Sequence, residues 1–301
     1  MYKSGFVSII GRPNAGKSTL LNRLVGSKVA IVADKPQTTR TAIQGVSTLD
    51  GAQIVFVDTP GIHKPDTTFN RRMMDTVRKA LEDRDLLLYL VDATLPFQSA
   101  EEQALELIGR TAAPVLLLLN KVDAVKEKAQ LLPLIERYSA TGRFEEIFPI
   151  SALRGVGLEE LKSAIVKRLP EGPQYFPDDY LTDQPERYLA AELIREKILH
   201  LTRQEVPHSV AVLVDRFEET PRITNIAATV YVEREGQKAI VIGAKGGMLK
   251  RVGTSARLEM ESLLGRKIFL QLFVKVQPGW RENPEFLNAI DWRSMAGLEE
   301  N

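Results

Sequence analysis

A chain of 301 residues with 44% hydrophobic and 26% charged content has the size of two globular domains and enough apolar material for their cores. A formal net charge of +1 excludes a polybasic molecule, so any nucleic-acid surface must be local, and the lack of cysteine excludes disulfides and thiolate metal sites. The histidines His63, His200 and His208 show no ligand spacing, and no apolar run approaches the roughly 20 residues that span a bilayer. The N-terminal "MYKSGFVSIIGRP" leads into a strand pattern and not a signal peptide, which predicts a soluble, cytoplasmic protein.

Through about residue 169, strand patterns alternate with helical ones. That predicts an α/β domain with a mostly parallel sheet and helices on both faces. Strands are expected over 6–10, 42–49, 53–57, 86–91, 115–119 and 147–150, with "LLLYLV" and "VLLLLN" buried on both sides. The stretch "LPEGPQYFPDDYLTDQPERY" reads as a linker whose aromatics should pack against a neighbour. Beyond it, "ERYLAAELIREKILHLTR" is helical, with Leu189, Leu193, Ile194 and Ile198 as a core stripe and mixed charges on a polar face. Two strand patterns follow, "SVAVLVDRF" and "ITNIAATVYVER", then a loop of glycines and lysines, a helix over about 248–264, and a strand in "KIFLQLFVKV". This second half reads as α+β, in the order helix, strand, strand, loop, helix, strand. The expected divisions are a first domain over 1–170, a linker over 171–185, a second domain over 186–280 and a C-terminal tail over 281–301.

Near the N-terminus, "GRPNAGKST" fits G-x-x-x-x-G-K-[ST] between a strand and a helix. Gly11 and Gly16 let backbone N–H groups close around phosphate oxygens, with Arg12, Pro13, Asn14 and Ala15 making the turn between them. Lys17 is expected on the β- and γ-phosphates and Ser18 on Mg2+, with Thr19 next to it at the helix start. Three further motifs lie in the order a nucleotide switch demands. "VDTPG" supplies Asp58 for Mg2+, acting through water, then Thr59, Pro60 and Gly61, whose N–H suits the γ-phosphate. In "NKVD", Asp123 can accept two N–H donors that guanine has and adenine lacks. There Asn120 would help hold the base edge and the loop, and Lys121 would stack its stem on the base. "SAL", made of Ser151, Ala152 and Leu153, offers a backbone N–H to the guanine oxygen. Each motif alone is weak; all four in order, at the carboxyl ends of strands, specify a guanine nucleotide site.

The second loop, "VIGAKGGMLKRVG", holds Gly243, Ala244, Lys245 and Gly246 as G-x-x-G before a helix. Lys238, Lys245, Lys250, Arg251 and Arg257 lie with no acid between 236 and 258, a local cationic patch. No Lys-Ser/Thr pair opens the helix, so a second mononucleotide loop is excluded. A G-x-x-G loop before a helix is how a KH module clamps four nucleotides of a single strand. Val241, Ile242, Ile226 and Val252 are expected to line the groove for the bases. The alternative is a C-terminal half that docks a protein partner and not RNA.

Residues 5–169 resemble the small GTPases of the translation-factor-like bacterial class. "PQTTR" is similar to that class's first switch, with Gln37, Thr38, Thr39, Arg40 and Thr41; Thr39, with Thr38 as the alternative, would meet Mg2+ and the γ-phosphate. Ile62 stands where signalling GTPases place a water-orienting glutamine, which implies slow turnover helped by a partner, a distant side chain or a monovalent cation. Asn14 matches a loop asparagine that related GTPases use with potassium. Together with the type II KH pattern, "VDTPGIH", "EREGQKAIVIGAKG" and "LFVKVQPGW" resemble the Era family over nearly the whole chain. The resemblance implies Mg2+-dependent hydrolysis of GTP to GDP and binding of the 3′ end of 16S rRNA. It also implies a part in rRNA maturation and 30S subunit assembly, a monomer, and peripheral contact with the inner membrane.

Overall fold

The computed structural model describes residues 1–63, 65–97, 99–202 and 206–295. The chain forms two compact units. One comprises Met1–Ala30, Thr39–Lys64 and Arg72–Asp183; the other comprises Ile31–Thr38, Pro65–Arg71 and Gln184–Asn301.

The first unit is built on β1 (Lys3–Gly11), β2 (Ile43–Leu49), β3 (Ala52–Asp58), β4 (Leu86–Asp92), β5 (Val115–Asn120) and β6 (Glu146–Pro149), in the sheet order β2-β3-β1-β4-β5-β6. Neighbours pair in parallel except β2 and β3, an antiparallel hairpin whose turn uses Gly51 at φ 74°. Among the described residues its helices are α1 (Lys17–Val25), α2 (Thr68–Lys79, which begins within Pro65–Arg71), α3 (Ser99–Ile108), α4 (Leu131–Ser139) and α5 (Leu158–Arg168). Leu20, Leu21 and Leu24 of α1 share one core with Leu161 and Ile165 of α5 and with Leu86, Leu88 and Leu90 of β4. Leu87 and Tyr89 face the other way, into a core with Ala104 and Ile108 of α3 and Leu134 and Tyr138 of α4. With both faces covered, β4 has no polar alternation to show, and "LLLYL" is the pattern that double burial requires. β1 lies between β3 and β4, so the chain leaves it in opposite directions and opens a crevice at its carboxyl end, where ligands bind in open α/β sheets.

The second unit runs through α6 (Glu186–Leu201), α7 (Val206–Ser209), β7 (Ala211–Glu219), β8 (Thr224–Val232), α8 (Glu235–Ile242), α9 (Gly247–Leu264), β9 (Ile268–Val276), α10 (Pro284–Ile290) and α11 (Trp292–Met295). Its sheet is β7-β8-β9, antiparallel on the first side and parallel on the second. Leu193, Ile194 and Ile198 of α6 and Val252, Ala256 and Met260 of α9 pack on Ile226, Ala228 and Val230 of β8. Helix α8 corrects the expected element order, in which a loop follows the second strand directly. Ile240, Val241 and Ile242 disguise it with β-branched residues. What wins is local capping: Gln237 Oε1 accepts from the N–H groups of Glu233 and Arg234, while Val241 is fully buried.

The segment after β9 also packs. Trp280 is fully buried, its indole N–H donates to the Ser209 carbonyl at 3.1 Å, and its ring meets Phe69 and Phe286. Asn283 caps α10 by accepting from the Phe286 N–H at 3.1 Å, with Pro284 in the first turn, a cap worth about 1 kcal/mol. Among the described residues no helix is long and apolar enough to cross a membrane.

Candidate nucleotide and nucleic-acid sites

The first glycine loop leaves β1 and enters α1. Gly11 has φ 152°, Asn14 62° and Gly16 101°, so the loop turns its backbone through a region that costs most L residues strain. Space forbids substitution as well. A Cβ on Gly11 would stand 2.3 Å from the Leu90 carbonyl oxygen, and one on Gly16 would stand 2.3 Å from Asn120 Nδ2. Lys17 is 6% exposed, and its ammonium donates to the carbonyls of Gly11 (3.1 Å) and Arg12 (3.0 Å). Ala15 is buried, and Arg12 pairs with Glu101 at 3.1 Å.

At the end of β3, Asp58 is fully buried. Its Oδ2 accepts from Ser18 Oγ at 2.6 Å and Thr39 Oγ1 at 3.3 Å, and the two hydroxyls lie 2.7 Å apart. Thr38 goes elsewhere; its hydroxyl donates to the Lys35 carbonyl at 2.6 Å. Among the described residues Asp58 Oδ1 has no hydrogen-bond partner. A cluster of hard oxygen donors with one orphaned carboxylate oxygen fits Mg2+, with Ser18, Thr39 and Asp58 as the residues that would hold it. Burial pushes the Asp58 carboxyl up to about 6 and the Lys17 ammonium down to about 8, each opposed in part by the other's charge. Both groups are thus held short of full solvation in an enclosed polar site, ready for phosphate and a divalent cation.

Thr59 Oγ1 donates to the Ile9 carbonyl at 2.9 Å, which ties the start of "TPG" to β1. A Cβ on Gly61 would stand 2.7 Å from Pro13, so only glycine lets this segment lie against the first loop. The next N–H, of Ile62, donates to Gly11 O at 3.1 Å, while the Ile62 side chain packs against the α3–α4 core. It presents no polar atom to a water molecule.

The base-recognition end is cross-braced. Asn120 Nδ2 donates to the Ala15 carbonyl at 2.8 Å, and its Oδ1 accepts from the Ala152 N–H at 2.9 Å, so one side chain spans the first loop and "SAL". Ser151 donates to Asp123 Oδ1 at 2.6 Å. The Ala152 N–H is engaged by Asn120 and the Ser151 N–H by Val156 O, which leaves the Leu153 N–H without a recorded partner among the described residues. Asp123 is exposed, not buried as a base-reading carboxylate was expected to be. Lys121, at φ 66°, sends its ammonium to Asp92 at 2.6 Å. Sequence reasoning passed over Asp92 because it lies in no motif. Its signal was register: Asp92 ends β4 opposite Asn120, the residue before Lys121.

In the second unit the G-x-x-G loop lies between α8 and α9. Gly243 (φ 70°), Lys245 (51°) and Gly246 (75°) all have positive φ. A Cβ on Gly243 would stand 2.6 Å from that of Met248, whereas nothing lies within 4 Å of Gly246. The loop is tight on its inner side and open on its outer side. Lys245, Lys250 and Arg251 are exposed, Lys238 is half-buried, and none of the four makes a salt bridge among the described residues; Arg257 pairs with Glu261 at 2.9 Å.

The groove wall differs from expectation. Val241, Val252 and Ile226 are at most 1% exposed inside the core and cannot reach a ligand. The groove between α9 and β9 is lined instead by Gly246, Leu249, Lys250, Thr254, Leu270 and Leu272. The signal was the two-residue period of "FLQLFVKV", which puts Leu270 and Leu272 on one face.

Comparison with known proteins matches these two units. A family model for 50S ribosome-binding GTPases matches residues 6–121, and one for KH domains matches residues 205–281. The GTPase Era of Geotalea uraniireducens is 53% identical over 97% of this chain and 98% of its own length. That of Geobacter metallireducens is 50% identical over 97% and 98%. A crystal structure of Era in complex with MgGDPNP and nucleotides 1506–1542 of 16S ribosomal RNA is 42% identical, with a TM-score of 0.94 over 97% of this chain and 99% of that one. A tyrosine-to-alanine variant of Aquifex aeolicus Era bound to GDP and AlF4−, also 42% identical, gives 0.92 over 96% and 99%. With half its residues shared along almost its entire length, the chain belongs to the GTPase Era family.

Proposed function

We propose that this protein is a GTP-hydrolysing switch that binds 16S rRNA near its 3′ end and assists rRNA maturation and assembly of the 30S subunit. The observation that carries the nucleotide half is the hydrogen-bonded cluster of Ser18, Thr39 and Asp58, beside a loop that holds the buried Lys17 on its carbonyls and that Asn120 ties to "SAL". The residues of the first loop would cradle the phosphates, Asp123 would read guanine, and Ser18, Thr39 and Asp58 would hold Mg2+. A bound Mg2+ ion supplies charge that offsets what develops on the transferring phosphoryl group. Ile62 supplies no group to orient water, so slow intrinsic turnover fits the site. A potassium ion at Asn14, a cytoplasmic location, peripheral contact with the inner membrane and a monomeric state rest on family resemblance. The divisions 1–170, 171–185, 186–280 and 281–301 are retained as the working domain boundaries.

RNA would lie in the groove between α9 and β9, with its backbone over Gly243, Ala244, Lys245 and Gly246 and within reach of Lys238, Lys250 and Arg251. The relative with MgGDPNP and 16S rRNA bound supports RNA as the ligand. If ordering of the switches alters the RNA surface, GTP and RNA must change each other's affinity equally. The test is affinity of the full-length protein for a 16S 3′-end fragment with a GTP analogue, with GDP and with no nucleotide. A difference of about 5- to 150-fold between the first two is expected. Equal affinities would leave two independent modules, and no RNA binding in any state would favour a protein-docking C-terminal half.

A further inference from the structure

We propose that Arg195, on α6, is a positioning residue for the nucleotide site, acting through the backbone of the first switch. Neither the GTPase motifs nor the KH loop accounts for it. Arg195 is 1% exposed, and Glu192 and Glu196 beside it are 8% and 1% exposed. A charged trio sealed this deeply on the polar face of a helix needs a partner. Lys197 pairs with Glu196 at 2.8 Å, and the other partner is the Ile31–Thr38 segment, which belongs to the same compact unit as α6.

The grip is specific. Arg195 donates to the carbonyl of Gln37 at 3.4 Å and, more closely, to that of Thr38. Glu192 holds the guanidinium from behind through Nε at 2.7 Å and Nη2 at 2.5 Å. Glu196 Oε1 accepts the Val32 N–H at 2.8 Å, and His200 Nε2 lies 2.8 Å from the Val32 carbonyl. Residues 192, 195, 196 and 200 follow helical spacing, so one face of α6 holds both ends of the segment. Gln37 has φ 61°, a conformation a non-glycine residue keeps only when its surroundings impose it. Arg195 on its carbonyl and Asn70 Oδ1 on its side-chain amide, at 2.9 Å, supply that constraint.

One peptide bond beyond Thr38 is Thr39, whose hydroxyl meets Ser18 and Asp58. Fixing the 37–38 carbonyls therefore fixes where the chain delivers Thr39. A planar fork can satisfy two carbonyls and a carboxylate at once; a lysine ammonium cannot reproduce that geometry. This inference rests on Thr39 serving Mg2+ and the γ-phosphate. It then follows that Arg195 matters for GTP and not for GDP, which has no γ-phosphate.

The test compares wild type, Arg195→Lys, Thr39→Ala and the double variant, all full length, for single-turnover GTP hydrolysis and for GDP affinity. Arg195→Lys keeps the charge between Glu192 and Glu196. It should slow hydrolysis by roughly 10- to 100-fold, the penalty of a misplaced group. GDP affinity should stay within about 2-fold, and the double variant should be no slower than Thr39→Ala. Glu192→Gln, which keeps the shape and one acceptor, should give the same pattern more weakly. Equal losses for GTP and GDP would show a merely structural role and overturn the proposal, as would additive effects in the double variant. A silent Arg195→Lys beside a damaging Thr39→Ala sinks the proposal alone. A silent Thr39→Ala sinks the reading of Thr39 and the proposal with it.

Discussion

The two glycine-lysine loops differ in enclosure more than in composition. In the first, Gly11 and Gly16 are pressed against Leu90 and Asn120, and Lys17 is 6% exposed. In the second, Gly246 faces open space, and Lys245 and Lys250 are exposed. An enclosed lysine among fixed carbonyls serves one compact phosphate group in one geometry. Exposed lysines along an open groove serve a charged chain, whose affinity comes from several screened contacts. The glycines follow the same division: neighbours leave no room at those of the first loop, whereas Gly246 of the second faces open space, where a ligand's backbone would come close.

Breaking the nucleotide site should have the largest consequences. Discrimination between GTP and ATP should be on the order of 10⁴, because a site built on hydrogen bonds rejects a base that leaves its groups unpaired. Asp123→Asn should move the preference toward xanthine nucleotides in competition binding. Equal affinity of the native protein for ATP and GTP would remove Asp123 from base recognition. Next in size, Lys17→Ala should lower the rate of GTP hydrolysis by about 10²- to 10³-fold, the usual cost of losing one preorganised donor to a transferring group. Single-turnover assays at saturating nucleotide check this, and a near-native rate would contradict it.

A smaller effect comes from pH. Burial raises the Asp58 carboxyl to about 6. A cation must displace the proton, so Mg2+-dependent GTP affinity should be full above about pH 7. It should fall roughly 10-fold per unit below about pH 6, one proton per ion bound. Calorimetric titrations across that range provide the check, and a flat profile would take Asp58 out of the metal site.

The first unit was legible in the sequence to within a few residues at strand ends, because double burial writes itself as unbroken apolar runs such as "VLLLLN". The nucleotide motifs were legible because each is contiguous. What stayed hidden depends on contacts distant in sequence. Asp92 meets Lys121 only because β4 and β5 pair in register. Val241 and Val252 looked like groove residues because loop proximity says nothing of which way a side chain turns; α8 turns Val241 into the core. In the sequence the polar face of α6 shows only mixed charges, with nothing to mark Glu192, Arg195 and Glu196 as buried. Beyond the helix's own ion pairs, Arg195 and Glu196 meet backbone groups of the segment around Val32 to Thr38, and backbone groups leave no mark in a sequence.

The difference between the loops is tested most directly with one variant, Lys245→Ala with Lys250→Ala. Affinity for a 16S 3′-end fragment would be measured across salt concentrations, and GTP-analogue affinity measured without RNA. Loss of two phosphate contacts should lower the slope of log affinity against log salt by about 1.4, with GTP-analogue affinity unchanged. An unchanged slope would make these lysines bystanders, and a parallel loss of GTP-analogue affinity would contradict the assignment of the two loops to different ligands.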